Sequence, residues 1–338
     1  MDLKRLLRIA LQLISLLIFG LILWWAGPET WRQILDSDWR LLLVALFIYG
    51  VVGIVSALRL RLVAQALVGE AVASRRRFYY LSMVARVLGL VLPRGISTLG
   101  GKSVGLRALG ISLRRSLWIV LMDNLYDILT LGVTAIPAIF FLQNQIGALS
   151  FGLLSVGLMA LLGIVLWLVI ASGRLGPLLQ WLLSRLPWLS RRLQMDERAI
   201  SQLFPRAAPA MSALLHTLLL NGLLIATYYT IARALNIPTS LWIFAAAFPI
   251  TQLSLIVAVA PGGLGIFDLG WLGLLRLGGM AQADALTFVV AQRAFIYVFV
   301  LIWAASSVLV SFAERQQARP LPLTAEERGL QPRPEKAD

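Results

Sequence analysis

The sequence predicts an all-α membrane protein that crosses the bilayer about eight times, and three features of the chain support this. Hydrophobic residues make up 59% of the 338 residues, and charged residues only 14%. Apolar runs of about 20 residues, the length of one transmembrane helix, recur from one end of the chain to the other. Two apolar segments are interrupted by Pro and Gly, which a helix facing lipid does not tolerate because its backbone groups lose their partners.

The charged residues are mostly basic and lie beside the apolar segments. The net charge is +14, from 30 Lys and Arg against 16 Asp and Glu. This placement indicates cytoplasmic loops and anionic lipid headgroups as partners, and not nucleic acid. The chain has no Cys, which excludes disulfides and thiol catalysis, and its single His216 argues against a histidine metal site. We therefore expect no metal and no cofactor.

The N-terminus is predicted to lie in the cytoplasm. Lys4, Arg5 and Arg8 precede or begin the first apolar run, as the positive-inside rule requires of a cytoplasmic end. No small-residue cleavage site follows this run, so it is a retained span and not a signal peptide. The predicted spans of the first half are 6–26, 41–63, 116–142 and 151–171.

A short apolar segment, 78–92, lies between the second and third of these spans. It is only about 15 residues long, contains Arg86, and ends at Pro93-Arg94-Gly95. If it crossed the membrane, the basic stretch 174–206 would fall outside, against the positive-inside rule. We therefore predict a re-entrant segment.

The second half contains the other interrupted segment, 248–280. Pro261-Gly262-Gly263 break it in the middle, which removes a helix hydrogen bond and frees the backbone. We predict that this segment crosses, because the C-terminal tail lies inside only on that condition; the alternative is that it re-enters. The other predicted spans of this half are 208–234, 241–260 and 283–312.

The remaining segments are polar or amphipathic. Within 173–207, the run WLLSRLPWLSRRL is predicted to lie as an amphipathic helix at the inner interface. Residues 1–313 form one membrane domain, and the polar segment 314–338 is predicted to be a disordered cytoplasmic tail. The two interrupted segments occupy corresponding places in the two halves, as expected of inverted repeats that meet around a substrate site at the membrane midplane.

Charged residues inside the apolar segments are the candidate substrate-binding groups, because an unpaired charge at that depth is costly. Asp123 and Asp127 lie four residues apart and so share one face of a helix, and we expect Arg86 and Arg293 to be their partners. The alternative is that these ions only hold helices together. The other candidates are Arg94, as a ligand of a lipid phosphate, with Lys102, Arg107, Gly262, Gly263 and Asp268. For Lys102 and Arg107 the alternative is an ordinary solvated loop.

Two stretches of the chain resemble signatures of one family. LPRGISTLGGKSVGLRALGISLRRSLWIVLMDNLYDIL and APGGLGIFDLGWLGLLRLGG, the latter followed by AQRAFIYV, are similar to the lysylphosphatidylglycerol synthase transmembrane, or flippase-like, family, and the similarity runs from about Leu6 to Phe312. The resemblance implies movement of aminoacylated phosphatidylglycerol or other lipid-linked molecules between leaflets. The chain departs from the family pattern at Lys102, Asn124 and Asp268, where the family has an acidic residue, an arginine and a glutamate.

Three functions follow from these observations. The first is translocation of an anionic or aminoacylated phospholipid, or of a lipid-linked molecule, across the cytoplasmic membrane, without enzymatic chemistry. The second is a scaffold subunit of a lipid or glycolipid assembly pathway, whose partner would be an envelope-assembly protein or a second copy of the chain. The third is an intramembrane prenyl-diphosphate enzyme, because Asp123 and Asp127 have the DxxxD spacing that such enzymes use to hold Mg²⁺.

Overall fold

The prediction of an all-α membrane protein is confirmed. The structure, a computed structural model, describes residues 3–69, 73–93, 96–172, 207–257 and 260–317, and this part of the chain forms helices and no strand. The first half contains α1 (Leu3–Leu35), α2 (Trp39–Val68), α3 (Arg75–Val91), a π-helical turn (Ile96–Gly101), α4 (Lys102–Ala108) and α5 (Leu113–Leu142). The second half, counted here from the helix that follows α5, contains α6 (Ala148–Ala171), α7 (Ala207–Ala234), α8 (Leu241–Val257), a 3₁₀ turn (Pro261–Gly263), α9 (Ile266–Leu277) and α10 (Gln282–Gln317).

Long apolar helices occupy most of the predicted spans. Within the described residues, α2, α5, α6, α7 and α10 are long and apolar enough to cross a membrane. The first predicted span ends at Ala26, and α1 has a break there, because Gly27 adopts a φ of 62° before Pro28. The amphipathic helix and the tail predicted for 173–207 and 314–338 lie outside the described residues, except for Ala207 and the end of α10.

The first interrupted segment folds back on itself as a hairpin of α3 and α4. A Cβ atom on Gly105 would lie 2.5 Å from Cδ1 of Leu81, and one on Gly101 would lie 3.2 Å from Cδ1 of Leu88. Positions later in α4 therefore face positions earlier in α3, which is antiparallel packing. Small residues allow the two arms to approach closely, as they do in other membrane helices. This hairpin agrees with the predicted re-entrant segment.

The second interrupted segment also forms an antiparallel hairpin, of α8 and α9, and this corrects the prediction that it crosses. A Cβ on Gly278 would lie 2.7 Å from Cγ2 of Ile243, and one on Gly270 would lie 3.4 Å from Cγ2 of Thr251. Helix α9 has 12 residues, and a helix of that size reaches only about 18 Å, against a hydrocarbon core of about 30 Å. The predicted span 241–260 is therefore one arm of a hairpin, and the predicted count of eight spans is not confirmed.

The bend of the second hairpin depends on glycines with left-handed backbone conformations. Gly262, Gly263 and Gly265 have φ values of 59°, 71° and 82°. Side chains rarely adopt this region, so a glycine-rich turn is what lets α9 return along α8. The turn touches the first hairpin, because the N–H of Gly262 donates to the carbonyl oxygen of Leu92 at 3.3 Å. The two hairpins therefore meet tip to tip.

The two halves pack on each other as inverted repeats would. Helix α2 packs against its counterpart α7, and each hairpin lies on the long helix of the other half: α3 on α10, and α8 on α5. The outer helices follow the same rule, with α1 on α10 and α6 on α5. The first hairpin opens toward the end of the bundle where α2 ends, and the second opens toward the end where α5 ends. The repeats therefore have opposite orientations.

The two ends of the bundle differ in charge. At one end, Asp38 N–H donates to the carbonyl of Ala234 at 2.8 Å, and Gly278 lies beside Leu142. We call this end the balanced face, because the described residues near it mix both signs: Glu29, Asp36, Asp38, Asp284, Arg32, Arg40, Arg233 and Arg276. The opposite end, the basic face, carries Arg61, Arg75, Arg76, Arg77, Arg107, Arg114 and Arg115.

Candidate functional site

A cavity of about 250 Å³ lies where the two hairpin tips meet. Its walls come from both hairpins and from α2, α5, α7 and α10, so both halves of the chain contribute to it. The charged side chains that line it are Arg59, Arg86, Lys102, Arg293 and Asp127. Two further carboxylates, Asp123 and Asp268, are fully buried and bind these cations from behind.

The first ion cluster joins α2, α4 and α5 around Arg59. The Nε of Arg59 donates to Asp123 at 2.8 Å. Its two terminal nitrogens each donate to one carboxylate oxygen of Asp127, and the bond to Oδ2 is 2.9 Å long. One of those nitrogens also donates to the hydroxyl of Thr217 on α7 at 2.8 Å. Lys102 Nζ donates to the other oxygen of Asp123 at 2.7 Å. Asp123 and Asp127 share a face of α5, as predicted, and this face points toward α2.

This cluster corrects the expected ion pairing. Arg86 and Arg293 were expected to neutralise Asp123 and Asp127, but Arg59 and Lys102 do so. The reason is the antiparallel packing of α2 beside α5, which brings a residue near the basic end of α2 to the middle of α5. The planar fork of an arginine matches two carboxylates at once, so Arg59 satisfies both.

The same cluster bears on the magnesium hypothesis. Asp123 and Asp127 direct their carboxylate oxygens at the guanidinium of Arg59 and, for Asp123, at Lys102. In the described residues no group of three or more His, Cys, Asp or Glu side chains is arranged to hold a metal ion. The DxxxD spacing thus forms an ion-pair network in this fold.

The second ion cluster fixes the tip of the α8–α9 hairpin. The Nε of Arg293 donates to Asp268 at 2.6 Å, and a terminal nitrogen donates to the other carboxylate oxygen at 3.1 Å. The remaining terminal nitrogen donates to the carbonyl of Gly262 at 2.7 Å. Asp268 also accepts the N–H of Gly265 at 2.9 Å, and the guanidinium lies 4.9 Å above the ring of Phe267. Arg293 thus connects α10 to both sides of the glycine turn.

Comparison of the two clusters reveals a shared arrangement with reversed charge. In the first half, a cation on the returning arm, Lys102, binds a carboxylate on the long helix that follows, Asp123. In the second half, a carboxylate on the returning arm, Asp268, binds a cation on the following helix, Arg293. The two ion pairs therefore occupy equivalent positions in the two repeats. One pair lies on each side of the point where the hairpin tips meet.

Arg86 differs from the other cavity cations in its partners. It donates to the hydroxyl of Tyr49 at 3.2 Å, and its guanidinium lies 5.5 Å from the centre of the Tyr49 ring. No carboxylate of the described residues lies within ion-pair distance of it. Because its partner Tyr49 is uncharged, Arg86 keeps donors that can bind an anion.

The other predicted site residues have different positions. Gly262 lines the cavity, and a Cβ there would lie 2.9 Å from the Tyr297 hydroxyl, whereas Gly263 is buried against Leu255. Arg107 is exposed at the basic face and does not line the cavity. Arg94 lies outside the described residues.

Sequence reasoning missed several cavity residues. Arg59 is not among the predicted site residues, although it lies nine residues before the last residue of α2. That depth inside an apolar helix was the available signal. Ser82, four residues before Arg86 on α3, and Gln292, beside Arg293, also line the cavity and had no such signal.

Two comparisons with known proteins bear on the chain. A sequence model of the family described as "Lysylphosphatidylglycerol synthase TM region" matches residues 12–304. A search of curated proteins gives no significant match. The matched residues include both hairpins and both ion clusters, so the family region contains the whole cavity.

Proposed function

Since the chain belongs to the lysylphosphatidylglycerol synthase transmembrane family, we propose that it moves a phospholipid or lipid-linked molecule, anionic or aminoacylated, across the membrane. The observation that carries this proposal is the charged cavity between two opposed hairpins. Interrupted helices that meet between inverted repeats are the arrangement in which secondary transporters bind their substrates. The proposal assigns the chain transport, and no bond-forming or bond-breaking step.

The cavity would offer a lipid headgroup a polar path through the hydrocarbon. A charged headgroup in hydrocarbon loses its hydration, and the free-energy cost is large unless other groups replace the water. Arg86 and Lys102 line the cavity, and their N–H donors can replace part of that hydration. The acyl or prenyl chains would stay in the surrounding lipid, where they need no such replacement.

Alternating access would come from movement of one repeat against the other. Among the described residues, the hydrogen bond from Gly262 to Leu92 joins the two hairpin tips, and it lies between the charged pairs of the two halves. Separation of the tips would open the cavity toward one face while the other hairpin closes the opposite face. Rocking of inverted repeats around a central site is the general form of such transport.

We also propose how the protein is oriented and in which membrane it lies. The basic face would lie in the cytoplasm and the balanced face outside, following the positive-inside rule, and the membrane would be the cell membrane. The N-terminus would then be cytoplasmic. Membrane lipids are the proposed partners.

A reconstitution experiment tests this function. The purified chain is inserted into liposomes with fluorescently labelled lipids, and movement between leaflets is followed by chemical quenching of the outer leaflet. We expect at least one labelled lipid to move faster than in protein-free liposomes. Asp127→Asn removes a carboxylate that holds Arg59 in the cavity wall and should slow this movement, whereas Arg107→Gln, at an exposed cation outside the cavity, should not.

The outcomes separate the proposal from its rivals. Movement equal to that of protein-free liposomes for every phospholipid and lipid-linked sugar tested would overturn it, and would favour a scaffold subunit. Equal rates of lipid movement in the wild type and in a stably folded Asp127→Asn variant would show that lipids do not pass through the cavity. Size-exclusion profiles of both variants check that each is folded.

A further inference from the structure

We infer that the cavity selects a headgroup with one net negative charge, a phosphodiester monoanion, and discriminates against cationic aminoacylated lipids. This inference rests on the proposed function and narrows its substrate class. It follows from the balance of charge at the cavity and from the position of one cation within it.

The charges of the cavity leave one positive charge uncompensated. The described residues contribute four cations, Arg59, Arg86, Lys102 and Arg293, and three carboxylates, Asp123, Asp127 and Asp268. Each carboxylate binds at least one cation directly, so none is left to attract an ammonium group. A cationic headgroup would therefore meet net repulsion, and a neutral one would leave the excess charge unpaired.

The excess charge is localised at Arg86. The other three cations each bind a carboxylate at 2.9 Å or less, but among the described residues the polar partner of Arg86 is Tyr49, through its hydroxyl and its ring. A guanidinium has five N–H donors, and a tyrosine hydroxyl occupies one of them. The remaining donors suit the two non-bridging oxygens of a phosphodiester, which share one negative charge and which arginine binds in a bidentate manner.

A second donor stands beside Arg86. Ser82 lies four residues earlier on α3, so the two side chains share a face of the helix, and both line the cavity. Its hydroxyl is buried, with 1% of the residue exposed, and has no hydrogen-bond partner among the described residues. A buried hydroxyl without a partner is costly, and a phosphate oxygen would satisfy it. Ser82, Arg86 and the Tyr49 hydroxyl therefore form a group of donors on one side of the cavity.

The carboxylates differ from this group in what they can offer a ligand. Asp123 and Asp268 are fully buried, and each of their oxygens already accepts a hydrogen bond. Asp127 is the partly exposed one, and both of its oxygens accept from Arg59. An ammonium group would have to displace a guanidinium to reach any of them.

The test compares three labelled lipids with the same acyl chains in liposomes that contain the full chain. The lipids are phosphatidylglycerol, phosphatidylcholine and lysylphosphatidylglycerol, with net charges of about −1, 0 and +1. We expect phosphatidylglycerol to move fastest in the wild type. Arg86→Gln should lower its rate about tenfold, since a charge-assisted bond is lost, and remove the preference over phosphatidylcholine. Arg86→Lys should retain the preference, and Arg107→Gln should match the wild type.

A binding measurement keeps the inference testable if Arg86→Gln does not fold. Short-chain forms of the three lipids are added to the wild type in detergent, and the shift in unfolding temperature is recorded. Stabilisation by the phosphatidylglycerol form and not by the lysyl form is expected. The headgroup without acyl chains, glycerophosphoglycerol, should stabilise less, and an equal effect would show that the ligand is a soluble phosphodiester.

Failure of the inference is distinguishable from failure of the proposed function. If none of the lipids moves, the transport proposal is wrong, and so is the inference that rests on it. If lysylphosphatidylglycerol or phosphatidylcholine moves as fast as phosphatidylglycerol, transport stands and charge selection is wrong. Equal rates for phosphatidylglycerol in wild type and Arg86→Gln would show that Arg86 is not the selecting group.

Discussion

Arg293 and Asp268 form the contact on which the shape of the second hairpin depends. The carboxylate binds both the guanidinium and the N–H of Gly265, and the guanidinium also binds the carbonyl of Gly262. The glycine turn is a single 3₁₀ turn, in which the N–H of Gly263 donates to the carbonyl oxygen of Ala260 at 3.0 Å, and the ion pair adds contacts on both sides of it. A buried pair of this kind contributes little net stability over an apolar pair, but loss of one partner leaves an uncompensated charge.

We therefore expect Asp268→Asn to destabilise the protein strongly. The change leaves Arg293 without a carboxylate, and a lone buried charge of this kind costs about 3–5 kcal/mol. The measurement is the unfolding free energy of the purified protein in detergent. Asp36→Asn, at an exposed carboxylate in the loop after α1, is the matched control and should change it little. A loss as small as that of the control would show that the pair does not hold the turn.

At the scale of elements, the two hairpins are built from different breaks. In the first, a proline and a π-helical turn separate α3 from α4. In the second, a 3₁₀ turn with left-handed glycines separates α8 from α9. Gly262 has a further constraint, because the Tyr297 hydroxyl and the Leu90 carbonyl oxygen stand 2.9 Å and 3.2 Å from where its Cβ would be. The close meeting of the tips thus requires glycine at this position.

Gly262→Ala should separate the hairpin tips. The left-handed conformation alone costs an alanine about 1–2 kcal/mol, and the contacts with Tyr297 and Leu90 add to this. We expect a lower unfolding temperature and altered lipid movement. Gly132→Ala is the control, since that glycine lies inside α5 with nothing within 4 Å of a Cβ. If the two variants behave alike, the tip contact does not constrain the fold.

At the scale of the whole molecule, inverted repeats explain the distribution of charge. The first half begins at the basic face and the second half at the balanced face, so the two hairpins open in opposite directions. The basic loops nevertheless all lie at one end of the bundle. The fold-back of α8 and α9 returns the chain to the balanced face, and α10 then leads to the basic face. No crossing by the second interrupted segment is needed to bring the end of α10 to the same face as the start of α1.

This arrangement predicts a topology that thiol labelling can measure. The chain has no Cys, so single cysteines can be introduced without background. In intact cells, a membrane-impermeant maleimide should label Gln145→Cys, at the balanced face, and should label Arg107→Cys only after permeabilisation. The unmodified chain is the control. Labelling of both positions from the same side would contradict a crossing by α5, which separates them.

The sequence by itself determined the helical class, the positions of the long apolar helices and the two interruptions. These are local properties, because hydrophobic length and the backbone limits of proline and glycine act within a single segment. It also identified most of the charges around the cavity, since an ion inside an apolar segment is visible without a fold. Asp123, Asp127, Asp268 and Arg293 were found in this way.

Only the tertiary structure decided which charges pair and whether an interrupted segment crosses or folds back. Arg59 meets Asp123 across 64 positions of the chain because α2 packs beside α5, and no local pattern encodes that contact. The arms of the second hairpin are long enough to suggest two crossings, but their antiparallel packing makes them one re-entrant unit. Pairing and direction depend on which helices become neighbours, and that is set by the packing of the whole chain.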